Sequence, residues 1–243
     1  MRSPIHTTQP RRPRPGPAED HGPHRPEAAA IADPAGLQQP EGMQRLDRYS
    51  LPEAFSLGRS RWQLMVWFCC GSPVLAARWL PGSGWRCWLL RLFGARIGEG
   101  CRIKPGLRVK YPWRLFVGAH CWLGEAVWID NIAPVRLGRR VCLSQGVYLC
   151  TGNHNYRSPG FELQARPISV APEAWVAAHA VLAPGCRIGR GAVVALAAVV
   201  RGAVAPGLIV SGNPALPVGR RQQCAANWAQ SSSSHHINAC FDE

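Results

Sequence analysis

Residues 170–199 read VAPEAW-VAAHAV-LAPGCR-IGRGAV-VALAAV, and these five blocks of six residues decide the fold. Each block begins with a branched aliphatic residue, and the series continues to Val200. A residue with a small or medium-sized side chain stands four positions after each of these aliphatic residues: Ala174, Ala180, Cys186, Ala192, Ala198 and Val204. An α-helix, with 3.6 residues per turn, does not return every sixth residue to one face, and a flat strand alternates with a period of two. The six-residue period instead predicts a β-helix, in which three blocks close one triangular coil around an aliphatic ladder.

The same spacing continues upstream, with two shifts of two residues each. The three earlier series are Ile97, Ile103, Val109, Leu115; Val117, Leu123, Ile129, Val135; and Leu137, Leu143, Leu149. Between Leu149 and Val170 the frame breaks over 21 residues, which is not a multiple of six. We therefore expect a loop over residues 155–169 to project from the coil, with His154 at its base.

The composition suggests an anionic partner without identifying it. The 243 residues carry 28 Lys+Arg against 14 Asp+Glu, a net charge of +14, and only Lys104 and Lys110 are lysines. Such an excess suits nucleic acid, a membrane surface or an anionic small molecule. The ten cysteines form no C-x-x-C pair and no zinc-like spacing, which favours reduced structural thiols in a cytoplasmic protein. The apolar stretch 62–77 is too short for a spanning helix, but an interfacial helix stays open.

Four segments are expected along the chain. Residues 1–48 form a Pro/Arg-rich leader without apolar periodicity, predicted to be disordered, and residues 222–243 form a flexible tail. Residues 49–95 form a short helical region, and residues 96–221 form the β-helix. The core candidates of the helical region are Trp62, Trp67, Leu75, Trp79, Trp88, Leu89 and Leu92. Its mixture of Arg and Trp would also suit a stacking surface for nucleic acid, but packing against the following domain is the favoured interpretation.

Several motifs give the chain a family resemblance over about residues 49–221. They are RLFGARIG (91–98), YPW (111–113), WIDN (128–131), LSQG (143–146), CTGNHNY (150–156), AW (174–175) and GNPA (212–215). With these motifs the sequence resembles the hexapeptide-repeat acyltransferases, which have a left-handed parallel β-helix. Its closer resemblance is to the colanic-acid-type acetyltransferases, relatives of the maltose, galactoside and nodulation-factor O-acetyltransferases. The resemblance implies acetyl-CoA as donor, a sugar or glycan acceptor, no metal and a homotrimer with sites between neighbouring β-helices.

His154 is the candidate catalytic residue. An imidazole at the end of a rigid strand, under a covering loop, is suited to take a proton from a hydroxyl group. The resemblance assigns the matching histidine as general base for direct attack on the thioester, with backbone N–H groups stabilising the oxyanion. A covalent route would need a nucleophile, for which Cys150 is the candidate, but the resemblance offers no acyl-cysteine step.

The remaining candidate residues fall into an acceptor group and a coenzyme group. The acceptor candidates are Asp130, Asn131, Asn153, Asn155 and Tyr156, with solvated turn residues as the alternative interpretation of the first two. The coenzyme candidates are Trp175, Ala178, Leu196 and Arg201, with exposed packing as the alternative for Trp175. The sequence has Arg201-Gly202 where relatives usually have Thr-Lys, so Arg201, Arg220 or Arg221 would have to replace the lysine near the coenzyme phosphates.

Two other functions compete with acetyl transfer. A carbonic-anhydrase-like metalloenzyme would need His120, His154 and His179 to converge between subunits, but no two of these lie close in sequence. A noncatalytic scaffold or nucleic-acid-binding β-helix would use the arginine-rich exterior, although no known nucleic-acid motif occurs. Peripheral attachment to a membrane is compatible with the charge, and no nucleic-acid partner is expected.

Overall fold

The computed structural model describes residues 45–49, 51 and 55–222. The predicted leader up to residue 44 and the tail from residue 223 lie outside these residues. Short helices form an N-terminal cap, and a stack of coils follows it.

The cap contains three α-helices and a π-helical turn. The helices are α1 (Arg61–Val66), α2 (Ser72–Ala76) and α3 (Gly84–Leu92), and the π-turn Trp67–Gly71 joins the first two. Ser60 begins α1 with a capping box: its hydroxyl accepts from the Gln63 N–H, and the Gln63 side chain accepts from the Ser60 N–H. Short 3₁₀ turns span Leu46–Arg48 and Pro112–Arg114.

The coils build three parallel sheets, which we call faces 1, 2 and 3. Face 1 contains β1 (Arg96–Ile97), β4 (Leu115–Val117), β7 (Val135–Leu137), β12 (Ile168–Val170), β15 (Arg187–Ile188) and β18 (Ala203–Val204). Face 2 contains β2 (Arg102–Ile103), β5 (Trp122–Leu123), β8 (Cys142–Leu143), β13 (Trp175–Val176), β16 (Val193–Val194), β19 (Leu208–Ser211) and the antiparallel β20 (Leu216–Arg220). Face 3 contains β3 (Arg108–Val109), β6 (Trp128–Asp130), β9 (Tyr148–Cys150), β14 (Val181–Leu182) and β17 (Val199–Val200).

The aliphatic ladder predicted from the sequence fills the interior. On face 3, for example, Ile129 pairs with Leu149 and Leu149 with Leu182, and all three side chains have no exposed surface. The neighbouring strand residues point outward, as Arg108, Trp128 and Tyr148 do. The mainly β fold of stacked six-residue blocks is therefore confirmed.

Changes in coil length occur at the edge between faces 3 and 1. The two predicted frame shifts correspond to longer turns there, around Pro112–Arg114 and around residues 131–134. Near the end of the stack the same turn is shortened to Arg201 and Gly202, so Val204 pairs with Ile188 inside the ladder. The assignment of Val204 to a small-residue position is therefore wrong, because the frame moves by two residues at this turn.

Glycines follow four strands of face 1 because successive coils approach closely there. A Cβ atom at these positions would lie 2.4–2.5 Å from a backbone nitrogen of the next coil, a separation that real Cβ atoms do not show. The four positions are Gly98, Gly118, Gly138 and Gly189.

The cap buries only some of the predicted core residues. Trp67, Leu75 and Leu89 are buried, and the Trp67 indole donates to the carbonyl of Lys110 at 3.0 Å. The prediction is wrong for Trp62, Trp79, Trp88 and Leu92, whose side chains are 62–82% exposed. The loop around Trp79 is held by the buried Arg86 guanidinium instead, which donates to the carbonyls of Ala77 and Leu80. None of the described helices is long and apolar enough to cross a membrane.

Candidate active site

A hairpin leaves the coil at the edge between faces 3 and 1. Its strands β10 (Gly152–His154) and β11 (Leu163–Ala165) are antiparallel, and His154 pairs with Leu163. The excursion begins at residue 152, ahead of the expected loop over residues 155–169, and Ile168 has already returned to face 1 beside Val135. His154 thus lies at the end of a short paired strand that projects from this edge of the coil stack.

Three contacts fix the half-buried imidazole of His154. Nδ1 lies 2.8 Å from the carbonyl oxygen of Phe161, and the two rings stack at 4.4 Å with an interplanar angle of 4°. The Tyr49 ring meets the imidazole edge-on at 5.7 Å. Because a carbonyl oxygen can only accept, Nδ1 carries the proton in this hydrogen bond, and the neutral ring keeps a lone pair on Nε2. Nε2 can therefore take a proton from a hydroxyl group placed against it.

A groove of about 1140 Å³ lies beside the hairpin and is rich in arginine. Arg136, Arg166, Arg187 and Arg201 line it, and its lining contains no Asp or Glu. Within the described residues, none of these four arginines forms an ion pair with a carboxylate. Guanidinium groups pair well with phosphate oxygens, so the groove is suited to an anionic ligand.

The four arginines reach the groove from different coils. Arg136 and Arg187 both pair with Ser169 across face 1, so they stand two strands apart, roughly 10 Å. The Arg166 side chain packs over Gly185 at the foot of the hairpin, and Arg201 lies in the shortened turn. Sequence reasoning found only Arg201. The repeat frame could have found Arg136 and Arg187, because each directly precedes a ladder residue on face 1.

The other acceptor candidates of the hairpin differ in exposure. Asn153 and the exposed Tyr156 line the arginine-rich groove. The Asn155 N–H donates to the Glu162 carbonyl at 2.9 Å, and its side-chain oxygen accepts from the Arg157 N–H at 3.3 Å. Asn155 thus shapes the hairpin loop, while Asn153 and Tyr156 face the space where a ligand could bind.

Asp130 and Asn131 occupy different environments. The Asp130 carboxylate forms an ion pair with Lys110, with 3.0 Å between Oδ1 and Nζ, and it accepts a long hydrogen bond of 3.5 Å from the Tyr148 hydroxyl. Burial raises the pKa of Tyr148 above its ordinary value, so this phenol stays a neutral donor. Asn131 is fully buried, and its amide bonds to the backbone N–H and carbonyl of Tyr111 at 2.9 and 2.7 Å. In this structure Asn131 therefore holds two coils together, and Asp130 is the more accessible of the pair.

The remaining coenzyme candidates lie away from His154. The Trp175 indole, on face 2, donates to the Ser144 hydroxyl at 2.9 Å and is 45% exposed. Ala178 and Leu196 lie on the edge between faces 2 and 3, where the Ala178 carbonyl accepts from the Ala197 N–H at 2.9 Å. One copy of the chain thus brings Arg201 to the side of His154 but leaves the other three candidates on other parts of the coil stack.

Within one copy of the chain, the groups required by the competing mechanisms are not brought together. The Cys150 thiol donates to the Gly152 carbonyl at 3.1 Å rather than to an imidazole. His120, His154 and His179 lie on three different edges of the coil stack. Across residues 45–49, 51 and 55–222, no group of three or more His, Cys, Asp or Glu side chains is arranged to hold a metal ion.

Comparisons of the sequence and of the structure with known proteins both find acetyltransferases. No protein-family model matches the chain. The protein named "Putative colanic acid biosynthesis acetyltransferase WcaF" of Escherichia coli K12 is 34% identical over 181 residues, which cover 74% of this chain and 98% of the relative. A maltose O-acetyltransferase from Clostridium difficile 630 has a similar structure, with a TM-score of 0.60 and 18% identity over 68% of this chain and 90% of that one. The hexapeptide-repeat acetyltransferase VCA0836 of Vibrio cholerae, solved with acetyl coenzyme A, gives a TM-score of 0.57 and 23% identity over 63% of this chain and 86% of that one.

Proposed function

This chain belongs to the hexapeptide-repeat acetyltransferases, and from that premise we propose that it moves an acetyl group from acetyl-CoA to a hydroxyl of a sugar or glycan precursor. The observation that carries the mechanism is the hydrogen bond from His154 Nδ1 to the Phe161 carbonyl, which leaves Nε2 as the basic atom. The names of the relatives, which refer to colanic acid and maltose, support a sugar acceptor in polysaccharide biosynthesis. The crystallised acetyl coenzyme A complex of a relative supports the donor.

The transfer then takes place directly between the two substrates. His154 Nε2 takes the hydroxyl proton as the acceptor oxygen attacks the carbonyl carbon of the thioester. A C–O bond forms and the C–S bond breaks, and the leaving coenzyme thiolate takes the proton back from the imidazolium. Backbone N–H groups stabilise the negative charge on the carbonyl oxygen.

A homotrimer would complete this site. His154 and the arginine-rich groove occupy the edge between faces 3 and 1, whereas Ala178 and Leu196 occupy the edge between faces 2 and 3. A donor that contacts both groups would therefore lie between two copies, with one edge from each. We place this assembly in the cytoplasm, and its net positive charge is compatible with peripheral attachment to the inner face of the membrane.

The function is tested with the purified full chain, acetyl-CoA and a panel of glycosyl acceptors, including an amino sugar. We expect mass spectrometry to find one added acetyl group on an acceptor that offers only hydroxyl groups. The proposal would be overturned if no acceptor gains an acetyl group while acetyl-CoA still binds, or if only the amine of the amino sugar is acetylated.

The arginine-rich groove predicts how the donor is held. The double substitution Arg166→Gln and Arg187→Gln should raise the KM for acetyl-CoA about tenfold or more, because each lost charge-assisted hydrogen bond weakens binding of the phosphates. The kcat at saturation should change little, since the phosphates lie away from the reacting carbonyl. Steady-state kinetics measure both values.

Two controls make this prediction specific. Arg139→Gln removes one arginine charge from the exposed turn between faces 1 and 2 and should leave KM near the wild-type value, which each single substitution in the groove should not. With acetyl-pantetheine, a donor without phosphates, the double variant and the wild type should behave alike. An equal loss with both donors would contradict a phosphate-binding role for the groove.

A further inference from the structure

The N-terminal cap exposes an unusual density of large apolar side chains. Seven exposed large hydrophobic residues lie within 31 consecutive positions: Trp62, Met65, Phe68, Val74, Trp79, Trp88 and Leu92. Scattered single apolar residues on a surface need no explanation, but a contiguous patch indicates an interaction site. These residues play no part in the proposed acetyl transfer.

The helices of the cap present two apolar stripes that adjoin. The first helical segment packs on the coils through Trp67, Gly71 and Leu75, and it exposes Trp62 and Met65, one turn apart. Helix α3 buries Leu90 and exposes Trp88 and Leu92, also one turn apart. Trp62 and Leu92 line the same shallow cleft, so the two stripes meet there.

The charged residues within the segment that carries these stripes are all arginines, and the first acidic residue after it is Glu99, in the first coil. Residues 55–98 contain six arginines and no Asp or Glu. Arg86 is buried and bonds to backbone carbonyls, but Arg59 lines the cleft beside Trp62, and Arg61 is exposed at the start of α1. Tryptophan with arginine beside it is typical of surfaces that lie in the headgroup region of a bilayer. Anionic lipids would match this charge, whereas a protein partner would have to supply the carboxylates.

We propose that this cap surface, formed by Arg59, Arg61, Trp62, Met65, Trp88 and Leu92, docks onto an anionic lipid bilayer. The aromatic and aliphatic side chains insert at the boundary between the lipid headgroups and the acyl chains, and the arginines pair with lipid phosphates. Helix α3 packs against the first coil of the stack, so docking sets the β-helix with its N-terminal end against the membrane. The inference does not depend on acetyl transfer and would stand if that function failed.

Vesicle co-sedimentation with the full chain tests the proposal. Wild-type protein should bind vesicles of phosphatidylcholine with phosphatidylglycerol, bind pure phosphatidylcholine vesicles weakly, and lose affinity as salt is raised. The double variant Trp88→Ser/Leu92→Ser should lower the partition coefficient by at least about tenfold, because two inserted side chains are removed. Trp62→Ser/Met65→Ser is a second, independent variant with the same expected direction.

Matched controls separate docking from general surface hydrophobicity. Leu216→Ser/Val218→Ser removes side chains that are 61% and 65% exposed, on the last strand at the other end of the coil stack, and should leave vesicle binding unchanged. Light scattering after size exclusion should give the same oligomeric state for every variant. The proposal would be overturned if the wild type ignores anionic vesicles, if both cap variants bind like the wild type, or if the cap variants bind less only because the oligomer dissociates.

Discussion

Replacing His154 with alanine is expected to lower kcat/KM for acetyl transfer by about 10²- to 10⁴-fold, the range that a positioned general base contributes. The Phe161 carbonyl holds the proton on Nδ1, so Nε2 is the ring nitrogen left to remove the acceptor proton. No other imidazole lies on the same edge of the coil stack in the described part of the chain. Initial rates at a fixed acceptor concentration, followed through product formation, measure the loss.

Two further measurements distinguish a base from a merely structural histidine. His120→Ala removes an exposed imidazole from the edge between faces 1 and 2 and should keep nearly full activity. The residual rate of His154→Ala should rise with pH, because hydroxide can then replace the missing base. Equal rates for His154→Ala and wild type would refute the assignment.

The coil stack could be predicted from the sequence because every aliphatic residue of the ladder occupies an equivalent buried position in its coil. Ile129, Leu149 and Leu182 lie in different coils, yet each fills the same row of the interior. The six-residue period therefore recurs over enough coils to exclude an α-helical or flat-sheet fold for the β-helix region. The helical cap offers no such repetition: its helices are short, and a π-turn changes the angular spacing between Val66 and Ser72. The buried face of the cap consequently does not follow from the sequence, and Trp88, a predicted core residue, is 62% exposed.

The candidate site could be predicted only in part for a related reason. His154 is predicted because the repeat stops beside it and because the CTGNHNY motif resembles that of the family, and the hairpin leaves the coil at that point. Phe161 and Tyr49, which hold the ring, come from the far side of the hairpin and from a segment over 100 residues upstream. Contacts of that kind depend on how the hairpin folds back over the coil, and the repeat frame does not describe that path. Variants that test His154 should therefore leave the coil and the path of the hairpin unchanged.

Shortening one ladder residue below the hairpin, by Leu149→Ala, is expected to lower the free energy of unfolding by about 2–5 kcal/mol. The Leu149 side chain has no exposed surface and lies between Ile129 and Leu182 of the adjacent coils. Backbone hydrogen bonds hold those coils a fixed distance apart, for example from the Tyr148 N–H to the Ala180 carbonyl at 3.0 Å, so the cavity can collapse little. Chemical denaturation at one fixed protein concentration measures the change, because assembly adds to the apparent stability.

The comparison with an exposed leucine determines whether the ladder carries this stability. Leu216→Ala removes the same atoms from a side chain that is 61% exposed, and it should change the unfolding free energy by no more than about 0.5 kcal/mol. If Leu149→Ala changed the free energy of unfolding as little as Leu216→Ala, the interior would be loosely packed. The six-residue period would then not account for the stability of the coil that carries the hairpin. A large difference between the two variants would show that the buried aliphatic repeat stabilises the coil from which the hairpin leaves, because β9 leads directly into the hairpin.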